Sequence, residues 1–327
     1  MRWGILGTGQ IARTFVRDLK LLDDQKVISI GSRNKRSAQS FASNYHIPNF
    51  YGSYEELVND PNIDGVYIAT PHPYHCSNSL LALNAHKPVL CEKPFAISSQ
   101  ESEVMVAKAQ ENKLLLMEAM WMRFLPHILH IKKIISNGEI GEITSLEADF
   151  SIKAKYDVTS RLFSPELGGG ALLDLGIYPI SLSFMILGKP KFVSAQAVMA
   201  PSGVDISTNI IFNYESGAES KLRTSLQSVS SCGAIIEGSR GRIEIQNNFF
   251  APTSFKVIQY KNFLFKVKRY QNNYEGHGIR EQAIEFARVL YSKKTESDLL
   301  PHIESIAIMT VIDEIRSQIG LKFPFES

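Results

Sequence analysis

Lys93 stands in the run Cys91-Glu92-Lys93-Pro94, and about eighty residues later Gly168-Gly169-Gly170 leads into Ala171-Leu172-Leu173-Asp174-Leu175-Gly176-Ile177-Tyr178. A lysine, an aspartate and a tyrosine in such settings form a set for moving protons. A phenol ionises near pH 10 unaided, so it exchanges protons at neutral pH only beside a cation, which a lysine supplies. Asp174 and Tyr178 are four residues apart and share one face of a helix. An unpaired aspartate gains nothing from a buried apolar helix, so Asp174 is expected to line a polar cleft. The expected catalytic set is Lys93, Tyr178 and Asp174.

The amino end reads Trp3-Gly4-Ile5-Leu6-Gly7-Thr8-Gly9-Gln10-Ile11-Ala12, a Gly-x-Gly-x-x-Ala fingerprint behind a strand and ahead of a helix. Gly7 permits a tight turn, Gly9 lets the backbone approach a pyrophosphate, and Ala12 keeps the helix close to the sheet. The helix start supplies amides and a positive dipole end to that phosphate. An NAD site places an acid after the second strand, but here the chain reads Ile30-Gly31-Ser32-Arg33. Ser32, Arg33 and Arg36 instead suit a 2′-phosphate, so NADP is the expected cofactor and NAD the alternative. Further cofactor contacts are expected from Thr70 and His75, in Ala69-Thr70-Pro71-His72-Pro73-Tyr74-His75, and from Glu92 and Lys93. These motifs together imply a nicotinamide-dependent oxidoreductase acting on a carbinol or carbonyl.

These residues need elements to position them. Up to residue 120 the pattern alternates strands, at 2–7, 26–32, 65–69, 88–90 and 114–118, with helices at 11–22, 35–45, 53–59, 75–85 and 98–112. Ser53-x-x-Glu56 and Ser98-x-x-Glu101 are capping boxes. The alternation predicts an α/β Rossmann domain, a doubly wound parallel sheet, over 1–120. From 121 to 327 the pattern changes. Helices at 125–137 and 171–187 and strands at 143–152, 209–214, 218–227 and 242–246 precede helices at 279–292 and 301–319. Strands that follow strands predict an α+β domain with a large, open, mostly antiparallel sheet for substrate binding and oligomerisation. The last helix is expected to pack back on the first domain.

Bulk properties narrow the partners. The 327 residues suffice for two cores, and 44% hydrophobic with 21% charged residues is globular. A net charge of +2 suggests neither nucleic acid nor a membrane surface as partner, and there is no uninterrupted apolar run of transmembrane length. Met1-Arg2-Trp3 enters a strand directly, without a charged leader, so a cytoplasmic location is expected. Cys76, Cys91 and Cys232 have neither disulfide nor zinc spacing, so free thiols and no metal are expected. A broad sheet face left open would be an apolar patch, which predicts a homodimer or homotetramer through it.

Over essentially its whole length the chain resembles the Gfo/Idh/MocA oxidoreductases, through Gly7/Gly9/Ala12, Glu92-Lys93-Pro94 and Gly168 to Tyr178. Many members carry Asp-x-Gly-x-His where this chain has Asp174-x-Gly176-x-Tyr178. Tyrosine there, with Glu118-Ala119-Met120-Trp121-Met122-Arg123-Phe124, is similar to the dimeric dihydrodiol dehydrogenase and NADP-dependent xylose dehydrogenase branch. The resemblance implies Tyr178 as acid/base, Lys93 as its electrostatic partner and Asp174 as a ligand to a substrate hydroxyl. It also implies Trp121, Arg123 and Phe124 as pocket residues. The implied substrate is a sugar, a polyol or a small carbonyl or diol. A non-catalytic NADP-sensing regulator and a redox-neutral glycoside hydrolase on this fold remain as alternatives.

Overall fold

The fold comes from a computed structural model and is described here for residues 1–261 and 264–326. The chain divides into two compact units, Met1–Trp121 with Gly276–Met309, and Met122–Glu275 with Thr310–Ser327.

In the first unit, β1 (Arg2–Leu6), β2 (Lys26–Gly31), β3 (Asn49–Tyr51), β4 (Gly65–Ile68), β5 (Val89–Glu92) and β6 (Leu116–Ala119) form one six-stranded sheet. Their order is 3-2-1-4-5-6 and all pairings are parallel, as expected for the doubly wound arrangement. The connecting helices are α1 (Gln10–Leu19), α2 (Lys35–Tyr45), α3 (Tyr54–Val58), α4 (His75–Asn84) and α5 (Ser99–Glu111). Apart from β3, the strands are mainly apolar because helices cover both sheet faces. Both capping serines act as expected: Ser53 Oγ accepts from Glu56 N at 3.1 Å, and Ser98 Oγ from Glu101 N at 3.2 Å. The glutamates, however, reach the amides one residue before the cap, at Gly52 and Ile97.

In the second unit, α6 (Pro126–Ser136) precedes an eight-stranded sheet of β7 (Ile143–Ser151), β8 (Phe192–Met199), β9 (Asp205–Asn213), β10 (Glu219–Ser225), β11 (Ala234–Gly238), β12 (Gly241–Ile245), β13 (Phe255–Lys261) and β14 (Leu264–Tyr270). The order is 14-13-12-11-7-10-9-8, and the β7–β10 pair is parallel while the others are antiparallel. α7 (Ile177–Leu187) is buried with its lead-in, which includes the only aspartate in that stretch. By length and composition Pro165–Leu187 could cross a membrane, although Asp174 interrupts its apolar run as the sequence reading has it, and 83% of the qualifying window is buried in the protein, which makes it a core helix.

The open sheet face differs from the apolar patch that the strand pattern suggested. Its centre pairs Glu147 with Lys221 and Asp149 with Arg223 across β7 and β10, and Glu244 meets both Arg242 and Lys256 at 2.6 Å. Apolar exposure lies toward the edges, at Phe192 (63%), Leu264 (76%) and Phe265 (71%).

The chain closes with α8 (Arg280–Tyr291) and α9 (His302–Ile319). α8 completes the core of the first unit. The buried Asp18 carboxylate on α1 accepts from the amides of His277 and Ile279 at 2.9 Å, just ahead of α8. Trp3 donates its indole N–H to Gln25 at 2.8 Å, Gln25 donates to the Ala283 carbonyl at 3.2 Å, and Phe286 packs on the Trp3 ring at 4.9 Å.

Candidate active site

The turn between β1 and α1 is built for a phosphate. Gly7 has φ +104°, and a Cβ there would stand 2.5 Å from the Ala69 carbonyl oxygen at the end of β4. Only glycine fits. A Cβ on Gly9, by contrast, would meet nothing within 4 Å, so the backbone faces open space at the α1 start. Ala12 is fully buried against the sheet. Thr8, Gln10 and Ile11 complete the turn and the first helical positions, which leave the α1 amides directed outward. The residues present therefore suit a dinucleotide.

At the β2 edge, Asn34 caps α2 by accepting from Arg36 N at 2.9 Å and Ser37 N at 3.2 Å, and Ser32 Oγ accepts from Asn34 N at 3.3 Å. Arg33 is exposed and holds its guanidinium over the Tyr74 ring, 5.0 Å from the centroid. Burial raises the Tyr54 hydroxyl pKa, and the positive charge of Arg33 partly offsets that rise. Arg36, Arg13, Thr8 and Ser37 line a cavity of about 380 Å³ between α1 and α2. Arg13, which sequence reasoning missed, brings a second guanidinium to it; its position one residue after Ala12 was the available signal.

Thr70 and His75 belong to the segment after β4. Thr70 Oγ1 accepts from Asn78 at 3.1 Å. His75 is fully buried and acts as a clamp on the backbone: Nε2 lies 2.9 Å from the Thr70 carbonyl and Nδ1 2.8 Å from that of Pro94. It thereby ties this segment to the turn that carries Lys93. Glu92, at the end of β5, is buried. Its carboxylate accepts from the Tyr67 hydroxyl and, at 3.3 Å, from Lys93 N. Burial pushes Glu92 up to about 7, against the lowering by the Tyr67 bond and the Lys93 charge. Lys93 is half-buried at the strand end, and its bond to Pro94 is cis. Burial lifts Cys76 to about 11 and Cys91 well above its usual range, so neither is a ready thiolate at neutral pH.

In the second unit the glycine run makes close approaches. A Cβ on Gly169 would lie 2.7 Å from the Arg161 carbonyl oxygen, and one on Gly170, at φ +118°, would collide with the Asp205 carboxylate. Asp205 is fully buried and caps the helix start, accepting from Leu172 N at 2.8 Å and Thr208 Oγ1 at 2.7 Å. Burial raises its pKa to about 6. The first turn, Leu172–Gly176, is π-helical, with Ile177 N–H donating to the Leu172 carbonyl, and α7 continues from it. Such wide turns often occur at functional sites. Asp174 and Tyr178 flank this junction. Asp174 Oδ1 meets Arg161 Nη1 at 2.8 Å. The Tyr178 ring packs against Phe150 at 5.4 Å and Phe250 at 5.3 Å, and these two phenylalanines stack on each other at 3.8 Å.

Arg123 and Phe124 are buried. Arg123 Nη1 donates to the Ser181 carbonyl at 3.2 Å, which bonds it to the α7 backbone. Trp121, in the other unit, is 8% exposed. Among the described residues no group of three or more His, Cys, Asp or Glu is arranged to hold a metal ion.

Comparison with known proteins decides the family. Residues 1–120 match the GFO/IDH/MocA oxidoreductase family, NAD-binding Rossmann fold, and residues 128–244 match its C-terminal domain. Trans-1,2-dihydrobenzene-1,2-diol dehydrogenase of Danio rerio is 34% identical over 100% of this chain and 99% of its own. That of Mus musculus is 35% identical over 99% and 98%. The chain belongs to the GFO/IDH/MocA family. Among solved members, the 3-ketoreductase KijD10 of Actinomadura kijaniata, in complex with NADP and TDP-benzene, superposes with a TM-score of 0.86 at 26% identity, over 98% of both chains. This GFO/IDH/MocA protein is thus a nicotinamide-dependent oxidoreductase that interconverts CH–OH and C=O groups. Both expected domain types and the dihydrodiol dehydrogenase branch agree with these matches.

Proposed function

We propose that the protein is an NADP(H)-dependent dehydrogenase or reductase of a small cyclic diol, polyol or carbonyl compound, with Tyr178 as its acid/base. The observation that carries this reading is the paired presentation of Asp174 and Tyr178 at the start of a buried helix, beside the stacked Phe150 and Phe250 rings. The polar pair suits a hydroxyl group, and the rings suit the apolar face of a cyclic substrate. Relatives acting on a dihydrobenzenediol support the substrate class.

NADP over NAD is supported by the exposed Arg33 over Tyr74, by Arg36, and by the lack of an acid after β2. The residues that would hold the cofactor are Gly7, Gly9 and the α1 amides for pyrophosphate, with Ser32, Arg33 and Arg36 for the 2′-phosphate. When bound, the nicotinamide exchanges a hydride with the carbinol carbon. Tyr178 takes the proton of the substrate hydroxyl during oxidation and returns it during reduction, so the carbinol loses one hydride and one proton. Lys93 supplies the positive charge that makes a phenolate accessible at neutral pH. Asp174 accepts a hydrogen bond from the substrate. Solved forms of the Actinomadura kijaniata ketoreductase include a lysine-to-alanine and a tyrosine-to-phenylalanine variant, the residue types assigned here. We also propose a homodimer or homotetramer through the open sheet, with the exposed apolar edges of β8 and β14 in the contact.

The test is Tyr178→Phe, which keeps the ring packing and removes the hydroxyl. NADPH binding should survive while turnover falls by roughly 10²–10⁴-fold. Lys93→Met should lower turnover similarly, and the double variant should lose less than the product of the two. Turnover near wild type in Tyr178→Phe would return Tyr178 to a packing role.

A further inference from the structure

We infer that Arg161 binds a second oxygen of the substrate, so that the Arg161–Asp174 pair selects molecules with two adjacent oxygens, a vicinal diol or an α-hydroxy carbonyl. The inference rests on the reading of Asp174 as a ligand to the substrate hydroxyl. The two side chains are unequally exposed, 6% for Asp174 and 43% for Arg161, and they meet at 2.8 Å through Nη1. A guanidinium carries five N–H donors in a rigid fork, and this contact uses one face of it. The outer part of the Arg161 group reaches solvent, while the carboxylate lies beneath it.

The placement of Arg161 is built into the chain. It lies in an irregular segment whose backbone folds on itself: Gly170 N donates to the Leu162 carbonyl at 2.9 Å, Gly169 N to that of Ser164 at 3.0 Å, and Phe163 N to that of Ser160 at 3.0 Å. The missing side chain of Gly169 lets the Arg161, Leu162 and Ser164 carbonyls crowd against it. Asp205 fixes the following helix start, which bears Asp174. The acceptor and the donor are thus pinned to one another through a short stretch of tightly closed backbone.

A carboxylate beside a guanidinium at hydrogen-bond distance matches a neutral pair of adjacent oxygens. One hydroxyl donates to Asp174 and the neighbouring oxygen accepts from Arg161. A lone hydroxyl satisfies only half of this arrangement. A substrate carboxylate would meet the like charge of Asp174, so neutral molecules are preferred.

The experiment uses the full chain saturated with NADPH, which cannot accept a hydride from an alcohol, and titrated calorimetrically with trans-1,2-cyclohexanediol and with cyclohexanol. The wild type should bind the diol about 10–100-fold more tightly, the range of one hydrogen bond to a charged group. Arg161→Met should abolish that preference by weakening the diol far more than cyclohexanol, and its melting temperature should fall because the buried Asp174 carboxylate loses its guanidinium. Arg161→Lys, which keeps the charge without the fork, should restore part of it. Equal wild-type affinities, or an Arg161→Met preference that persists, would overturn the inference, as would equal weakening of both ligands. A diol preference that disappears in Arg161→Met, together with full turnover in Tyr178→Phe, would reject Tyr178 as acid/base and leave the role of Arg161 standing.

Discussion

Replacing Glu92 by glutamine should reverse its effect on stability between acidic and alkaline solution. Burial raises the carboxyl from its ordinary 4.5 to about 7. The native protein therefore keeps a proton that the unfolded chain has released. For such a group stability is whole below pH 4.5 and is lost as the pH rises through about 7. The interval corresponds to a loss of about 3 kcal/mol. Glutamine cannot ionise and removes this loss. The amide nitrogen that replaces one carboxyl oxygen cannot accept, so of the Tyr67 and Lys93 bonds, which the two carboxyl oxygens accept separately, one is lost, at a cost of about 1 kcal/mol. Glu92→Gln should therefore be about 1 kcal/mol less stable than wild type at pH 4.5 and about 2 kcal/mol more stable at pH 8. In a thermal melt that is a fall of about 2–4 °C at the lower pH and a rise of about 4–8 °C at the higher. A variant whose melting curve runs parallel to wild type at both pH values would refute the reasoning, because Glu92 could not then be the group that titrates.

Gly7→Ala should destabilise the protein by at least about 2 kcal/mol in chemical denaturation, because the new Cβ meets the Ala69 carbonyl at a left-handed φ; a cost below 0.5 kcal/mol would contradict the turn geometry. Arg33→Ala should weaken NADPH binding about 10–100-fold and leave NADH binding nearly unchanged, measured by fluorescence titration. Equal affinity of the wild type for both cofactors would reject the NADP assignment. Light scattering at micromolar concentration should give at least twice the mass of one chain, and a monomer would reject association through the sheet.

Much of this architecture was legible in the sequence because its signals are local. The helix at 35–45 and the two capping serines lie where their residue types put them, and five of the six parallel strands show as apolar runs. β3 escaped notice because it has three half-buried residues. β8 and β14 escaped because they lie at the sheet edges with much of both faces exposed, which leaves weak alternation. At the site, the glycine fingerprint and the Asp174–Tyr178 spacing could be read directly. Arg161 and Asp205 could not, since each acts on a helix start 13 and 33 residues away and looks like an ordinary loop or strand-end charge in the chain. The close approach at Gly170 is what gives Asp205 its place, and glycine alone does not name its neighbour.

The contribution of residues 276–309 to the first unit bears on how the protein is made. A ribosome that has released only the first 121 residues has delivered every strand of the parallel sheet but not the partners of its flank. Asp18 then waits for the amides of His277 and Ile279, Gln25 for the Ala283 carbonyl, and Trp3 for Phe286. The nucleotide-binding unit thus begins first and finishes late, after the whole eight-stranded sheet has been synthesised. Folding in simple amino-to-carboxyl order, one unit after the other, is closed to this chain. A translation product that stops before residue 276 leaves that flank unsealed, a surface for chaperones to recognise.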